Sequence, residues 1–241
     1  MLKLMKLELH QNRLKPYIFV TLMISVTLLI FAYFFAFAPH VRVEANVFDN
    51  YEDIIGMTSI LGVICFSIMS ATMQAKFIVA DYTSKRINLI FSYPIKRKKI
   101  LLDKLLLVAT FTVISQILCY TFVFGTFFLL NSVYSVVING ILSSYLIINT
   151  VKITIALSIT SAAIGMIVLW IGFSRKSIPS TIVSAVILSA VFNNLIATLL
   201  IVKPLTKQSI LIIITASTLM LIIGVISTFL LVQKVNRIEV E

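Results

Sequence analysis

Long apolar runs separated by short charged segments dominate the chain. The charges leave six windows free of them, at 16–41, 54–75, 105–151, 153–174, 177–202 and 208–233. Five windows hold 22 to 26 residues and the third holds 47. A helix crossing about 30 Å of hydrocarbon uses about 20 apolar residues, so each window has room for at least one span. Hydrocarbon offers the backbone no hydrogen-bonding partner, which restricts spanning structures to helices and closed barrels. Barrel strands alternate apolar and polar residues over about 10 positions, whereas these runs are continuously apolar. The pattern predicts an all-α polytopic membrane protein with six transmembrane helices, at about 17–37, 54–75, 105–130, 145–173, 178–202 and 209–232. A seventh span over 133–151 is the alternative for the long window. It is punctuated by Asn131, Ser132, Asn139, Gly140, Ser143 and Ser144, so an outer turn, or an interfacial or re-entrant segment, is expected over 131–151.

Charge orients this arrangement. With the N-terminus inside and the windows alternating, 16 of the 20 basic residues fall inside; Arg42, Lys152, Lys203 and Lys207 fall outside. Such a bias follows the positive-inside rule, and an odd number of spans would break it by carrying Arg175, Lys176, Lys234 and Arg237 across. The net charge of +11 is therefore a matter of orientation and anionic lipid, with no nucleic acid implied. Composition agrees: 60% of the 241 residues are hydrophobic and 12% charged, with a mean hydropathy of +1.08. The longest hydrophilic segment is 76–104, so a single membrane domain, 1–241, is expected. Ala36-Phe37-Ala38 resembles a signal-peptide cleavage site. The apolar run before it is longer than the 7–15 residues of a signal core and Pro39 follows directly, so the first helix is expected to stay uncleaved. In 1–15, Lys3, Lys6, His10 and Arg13 fall on one helical stripe beside Leu2, Met5 and Leu9, the pattern of an interfacial helix. Cys65 and Cys119 lie within spans 2 and 3 without ligand neighbours and read as core residues. Fourteen lysines against six arginines, together with abundant isoleucine, fit a bacterial source.

Motifs for chemistry are missing from the sequence. It contains no GxxxxGK[ST] phosphate loop, no HExxH and no GxSxG, and no acidic residue lies within a window. No catalytic residue, metal site or cofactor is expected, and energy for any uphill transport must come from another chain. The segment 76–104 is too apolar for a passive linker: Phe77, Ile78, Tyr82, Ile87, Leu89, Ile90, Phe91 and Tyr93 alternate with its charges. That mixture suits either a short helix that docks in a protein groove through aromatic anchors or an interfacial helix with snorkelling lysines. Among the spans, Gln116, Asn193 and Asn194, with the small pair Ser161 and Gly165, are candidates for helix contacts or for lining a translocation path. Lys152, in the outer part of helix 4, reads as a snorkelling lysine, with a substrate-facing charge as the sharper alternative.

Asp81, Ser84, Leu89, Pro94-Ile95-Lys96-Arg97, Ile100-Leu101 and Lys104 resemble the cytosolic loop of type-2 ABC exporter permeases. The family usually has Glu where this chain has Asp81, and often Gly-Thr at Thr83-Ser84. Length and span number are similar to the family's as well. The resemblance implies a permease subunit in the bacterial cytoplasmic membrane, both termini cytoplasmic, that pairs with a second permease subunit (as homodimer or heterodimer) and with separate ABC ATPase subunits that hold the ATP-Mg. The segment 76–104 would supply the coupling helix, with Phe77, Asp81, Tyr82, Ser84, Leu89, Phe91, Pro94, Arg97 and Lys104 as coupling residues. Gln116, Lys152, Asn193 and Asn194 would be candidates for the path. The cargo expected is amphipathic: compact permeases of this kind resemble exporters of cytolytic peptides such as the staphylococcal phenol-soluble modulins, with drug or lipid export as the alternative. A membrane-embedded enzyme of lipid or wall metabolism, or a pore or scaffold, are the rivals from other classes.

Overall fold

The computed structural model describes residues 15–41, 50–80, 97–134, 144–175, 177–202 and 207–238. They form six long helices: α1 (Lys15–Val41), α2 (Tyr51–Gln74, continued by a π-helical turn at Ala75–Val79), α3 (Arg97–Tyr134), α4 (Ser144–Arg175), α5 (Ile178–Val202) and α6 (Lys207–Ile238). All six are long and apolar enough to cross a membrane. The chain is a multi-pass helical membrane protein.

Burial ranks the helices. In α2 and α4, 67% of the apolar stretch is enclosed by the rest of the protein, against 11% in α1 and 28% in α6. α4 packs on α2, α3, α5 and α6, and α2 packs on α1, α3, α4 and α5, so these two form the centre. The remaining helices turn Phe19, Phe34, Leu118, Leu129, Leu195 and Phe229 outward, onto the surface that acyl chains cover. Hydroxyls on that surface return to their own backbone. Thr27 bonds the Met23 carbonyl at 2.9 Å and Thr121 the Ile117 carbonyl at 2.8 Å, so these hydroxyls are not left bare in hydrocarbon.

Close approach at the centre depends on small residues. Gly224 of α6 lies on Ala163 of α4, where a methyl group would stand 3.2 Å from the Ala163 carbonyl oxygen. α4 and α5 form a tight hairpin: the Ser177 N–H closes on the Gly172 carbonyl at 3.3 Å, Pro179 occupies the first turn of α5 where its missing N–H costs nothing, and Gly172 leaves room for Thr181.

The charge-free windows place every span but shorten several helices. α3 begins at Arg97 rather than after Lys104, because Leu101, Leu105 and Val108 continue its buried stripe past the charges. α2 likewise runs on through Phe77, Ile78 and Val79, all buried. At 38 residues, α3 is about 57 Å long and extends well past a hydrocarbon layer of about 30 Å. The expected coupling segment 76–104 is thus helical at both ends. Its middle, the predicted interfacial helix at 1–15 apart from Lys15, and 135–143 within the long third window lie outside the described residues.

Candidate functional site: a buried polar seam and the root of a loop

Two polar features stand out in an apolar molecule. The first is a seam along α2. Ser59, Ser67, Ser70 and Gln74 fall within an arc of about 80° on that helix and span about 22 Å of its length. Ser67, Ser70 and Gln74 are wholly enclosed. Part of the seam is well bonded. Tyr120 of α3 donates to the Ser59 carbonyl at 2.8 Å and accepts from Gln116 Nε2 at 3.2 Å; Ser161 of α4 donates to Gln116 Oε1 and to the Ser158 carbonyl at 2.9 Å. Gly62 makes room for Tyr120: a methyl there would stand 2.6 Å from the ring. These bonds tie α2, α3 and α4 together at mid-depth.

The rest of the seam has no partners. The side-chain oxygens of Ser59, Ser67 and Ser70 and both amide atoms of Gln74 are buried without a hydrogen bond, as are both amide atoms of Asn193. On the same helix Thr58 and Thr72 bond back to carbonyls at 2.7 Å, so the three serines forgo a bond that the helix offers. Gly165 of α4 faces this part of α2: a methyl on it would overlap Ser70 Oγ and stand 2.9 Å from Gln74 Nε2. Asn193 is buried on α5, which packs on α2 and α4.

The second feature is the root of the loop between α2 and α3. The π turn at Ala75–Val79 interrupts the regular hydrogen-bond ladder of α2 just after Gln74, and such turns gather at functional sites. Lys104 of α3 donates to the Phe77 carbonyl within it at 3.2 Å. The Phe77 ring meets Tyr17 of α1 edge-on, with centroids 5.5 Å apart, and the Lys76 ammonium lies 6.0 Å from the Tyr17 ring centre, within cation–π range. Asp103, beside Lys104, is buried. One short stretch therefore joins α1, α2 and α3 where the loop departs.

The residues singled out from the sequence divide between these features. Gln116 belongs to the bonded part of the seam, and Asn193 is buried on α5 with both amide atoms unpartnered. Asn194 turns to the exposed side and bonds its own helix at the Ala190 carbonyl, 3.2 Å away. Lys152 is exposed, the placement of a snorkelling lysine. Phe77 and Lys104 meet at the loop root, with the Phe77 ring enclosed in the bundle. Arg97 opens α3. Asp81, Tyr82, Ser84, Leu89, Phe91 and Pro94 lie outside the described residues. The serine arc and Gln74 escaped the sequence reading, although their spacing on one face of α2, next to Gly56 and Gly62, was there to be read. An apolar groove of about 270 Å³ between α3, α4 and α6 offers little for recognition, since the Thr110 hydroxyl in its wall is bonded to the Leu106 and Leu107 carbonyls. Among the described residues, no cluster of three or more His, Cys, Asp or Glu could hold a metal ion.

No family model matches the chain, and no solved structure matches it. The uncharacterized protein YcbO of Bacillus subtilis (strain 168) is 24% identical over 194 residues, which cover 80% of this chain and 84% of that protein. The alignment covers most of both chains and brings no activity with it.

Proposed function

We propose that this chain is the permease subunit of an ATP-driven exporter in the bacterial cytoplasmic membrane, energised by a separate ATPase that engages the loop between α2 and α3. The observation that carries this reading is the knot at the loop's root. A lever must deliver its displacement to the part of the machine that moves. Here both ends of the loop are joined by Lys104 and the Phe77 carbonyl, and Tyr17 adds α1. A push on the loop enters three helices together, among them α2, one of the two central ones. The motif that runs from Asp81 to Lys104 supports the same reading, because it resembles the coupling segment of type-2 ABC exporter permeases.

In this scheme Tyr82 and Phe91 dock in the ATPase, while Phe77, enclosed in the bundle, transmits the movement. A second permease subunit completes the pathway, and the cargo is amphipathic, a peptide before a drug or a lipid. The test is co-purification. An ATPase with a phosphate loop is expected to come down with the tagged chain from its native membrane, and ATP turnover should appear in the complex and not in the chain alone, which has no phosphate loop. Turnover by the isolated chain, or a preparation with no ATPase in it, would refute the assignment.

A further inference from the structure

α2, and α5 at Asn193, bury neutral polar groups that the bundle leaves unpaired. Gln74 is wholly buried and Asn193 is 4% exposed, and neither amide has a hydrogen-bond partner. Buried polar groups are bonded in the great majority of cases, and leucine at either position would remove the cost of desolvation. Closed packing is therefore a state that these side chains oppose. Two further observations point to movement at the same place. The π turn directly after Gln74 is a site where the helix can change its winding, and Gly165 opposite permits a contact that any larger residue would block.

We propose that the seam between α2 and its neighbours α4 and α5 opens into a crevice that takes up neutral hydrogen-bonding groups, with Ser67, Ser70, Gln74 and Asn193 as its polar lining. The chemistry of the lining selects the guest. A primary amide offers two donors and an acceptor oxygen, and a hydroxyl offers one donor and two lone pairs, which together complement water and the peptide or alcohol groups of a solute. Phosphate, carboxylate or ammonium groups would lose hydration there with no opposite charge to replace it. One chain builds the whole seam, so the inference stands apart from the ATPase assignment.

Thiol accessibility tests it. In a background with Cys65→Ala and Cys119→Ala, Ser70→Cys and, as a lipid-facing control, Leu118→Cys are reacted with N-ethylmaleimide in the intact membrane. Only a hydrated thiol ionises and reacts, so Ser70→Cys should label at least roughly tenfold faster than Leu118→Cys. Equal rates overturn the proposal. Labelling slowed by N-acetyl-leucinamide assigns the crevice to peptide-like solutes; a rate unchanged by it assigns the crevice to water. Gln74→Leu supplies a second reading without a thiol: it should raise the melting temperature and slow labelling at Ser70→Cys. A fall in melting temperature would mean that the amide is satisfied in the closed bundle, and the proposal would fail.

Discussion

Tyr120 shows how finely one residue can be fitted into a membrane bundle. Its hydroxyl bridges Gln116 and the Ser59 carbonyl, and its ring occupies the space that Gly62 leaves. The two partners differ in weight. Interhelical hydrogen bonds in membranes average about 0.6 kcal/mol, whereas forcing a methyl group into a filled site costs about 1–3 kcal/mol. Thermal unfolding in detergent should therefore show Gly62→Ala as clearly the more damaging and Tyr120→Phe as mild; the reverse order would mean that the hydroxyl, not the fit, secures the site. At this scale the sequence was half legible. Gln116 and Asn193 were visible as polar residues in apolar windows, since hydrocarbon makes any amide conspicuous. The serines were not, because a serine in a membrane helix ordinarily bonds its own backbone and reads as neutral. Only packing reveals that Ser59, Ser67 and Ser70 do otherwise.

Among the elements, α2 and α3 together carry the functional argument, and the part they share is the loop root. Windows without charge found both helices, because immersion in hydrocarbon forbids unpaired charge. They missed the helix ends, because a helix continues wherever one stripe stays buried, as Leu101, Leu105 and Val108 do on α3. The proposed coupling scheme separates two classes of aromatic residue in the segment 76–104. Phe77 is a core residue, and Phe77→Ala should cost the isolated chain on the order of 3 kcal/mol or more, visible as a lower melting temperature. Tyr82→Ala and Phe91→Ala should leave that temperature unchanged and weaken ATPase recovery in a pull-down, since truncating a docked aromatic anchor typically costs about 2 kcal/mol or more. Lys98→Gln with Lys99→Gln should leave the complex assembled, as rim charges contribute little. Normal recovery with both aromatic variants and loss with the lysine pair would make the contact electrostatic. Lys104→Met tests the knot itself: the chain should fold and bind ATPase, yet hydrolysis should no longer respond to cargo.

For the whole molecule, charge distribution distinguishes the two ends. The ends of the six helices alternate, so Lys15, Lys76, Lys98, Arg175 and Lys234 gather at one end of the bundle, all exposed, while Glu52 and Asp53 stand at the other. Cytoplasmic loops carry the excess of lysine and arginine, and anionic lipid on that leaflet adds about 1 kcal/mol of attraction per basic residue near its surface. Among the basic residues whose exposure is described, these five stand against Lys152 alone toward the opposite end. The basic end, and with it the loop between α2 and α3, is therefore expected on the cytoplasmic side, where ATP is available. A cysteine at Val47, in a background without Cys65 and Cys119, should react with a membrane-impermeant maleimide in intact cells. A cysteine at Lys98 should react only after the membrane is opened. The converse pattern would place the loop outside, beyond the reach of any ATPase, and would remove the energy source on which the permease assignment depends.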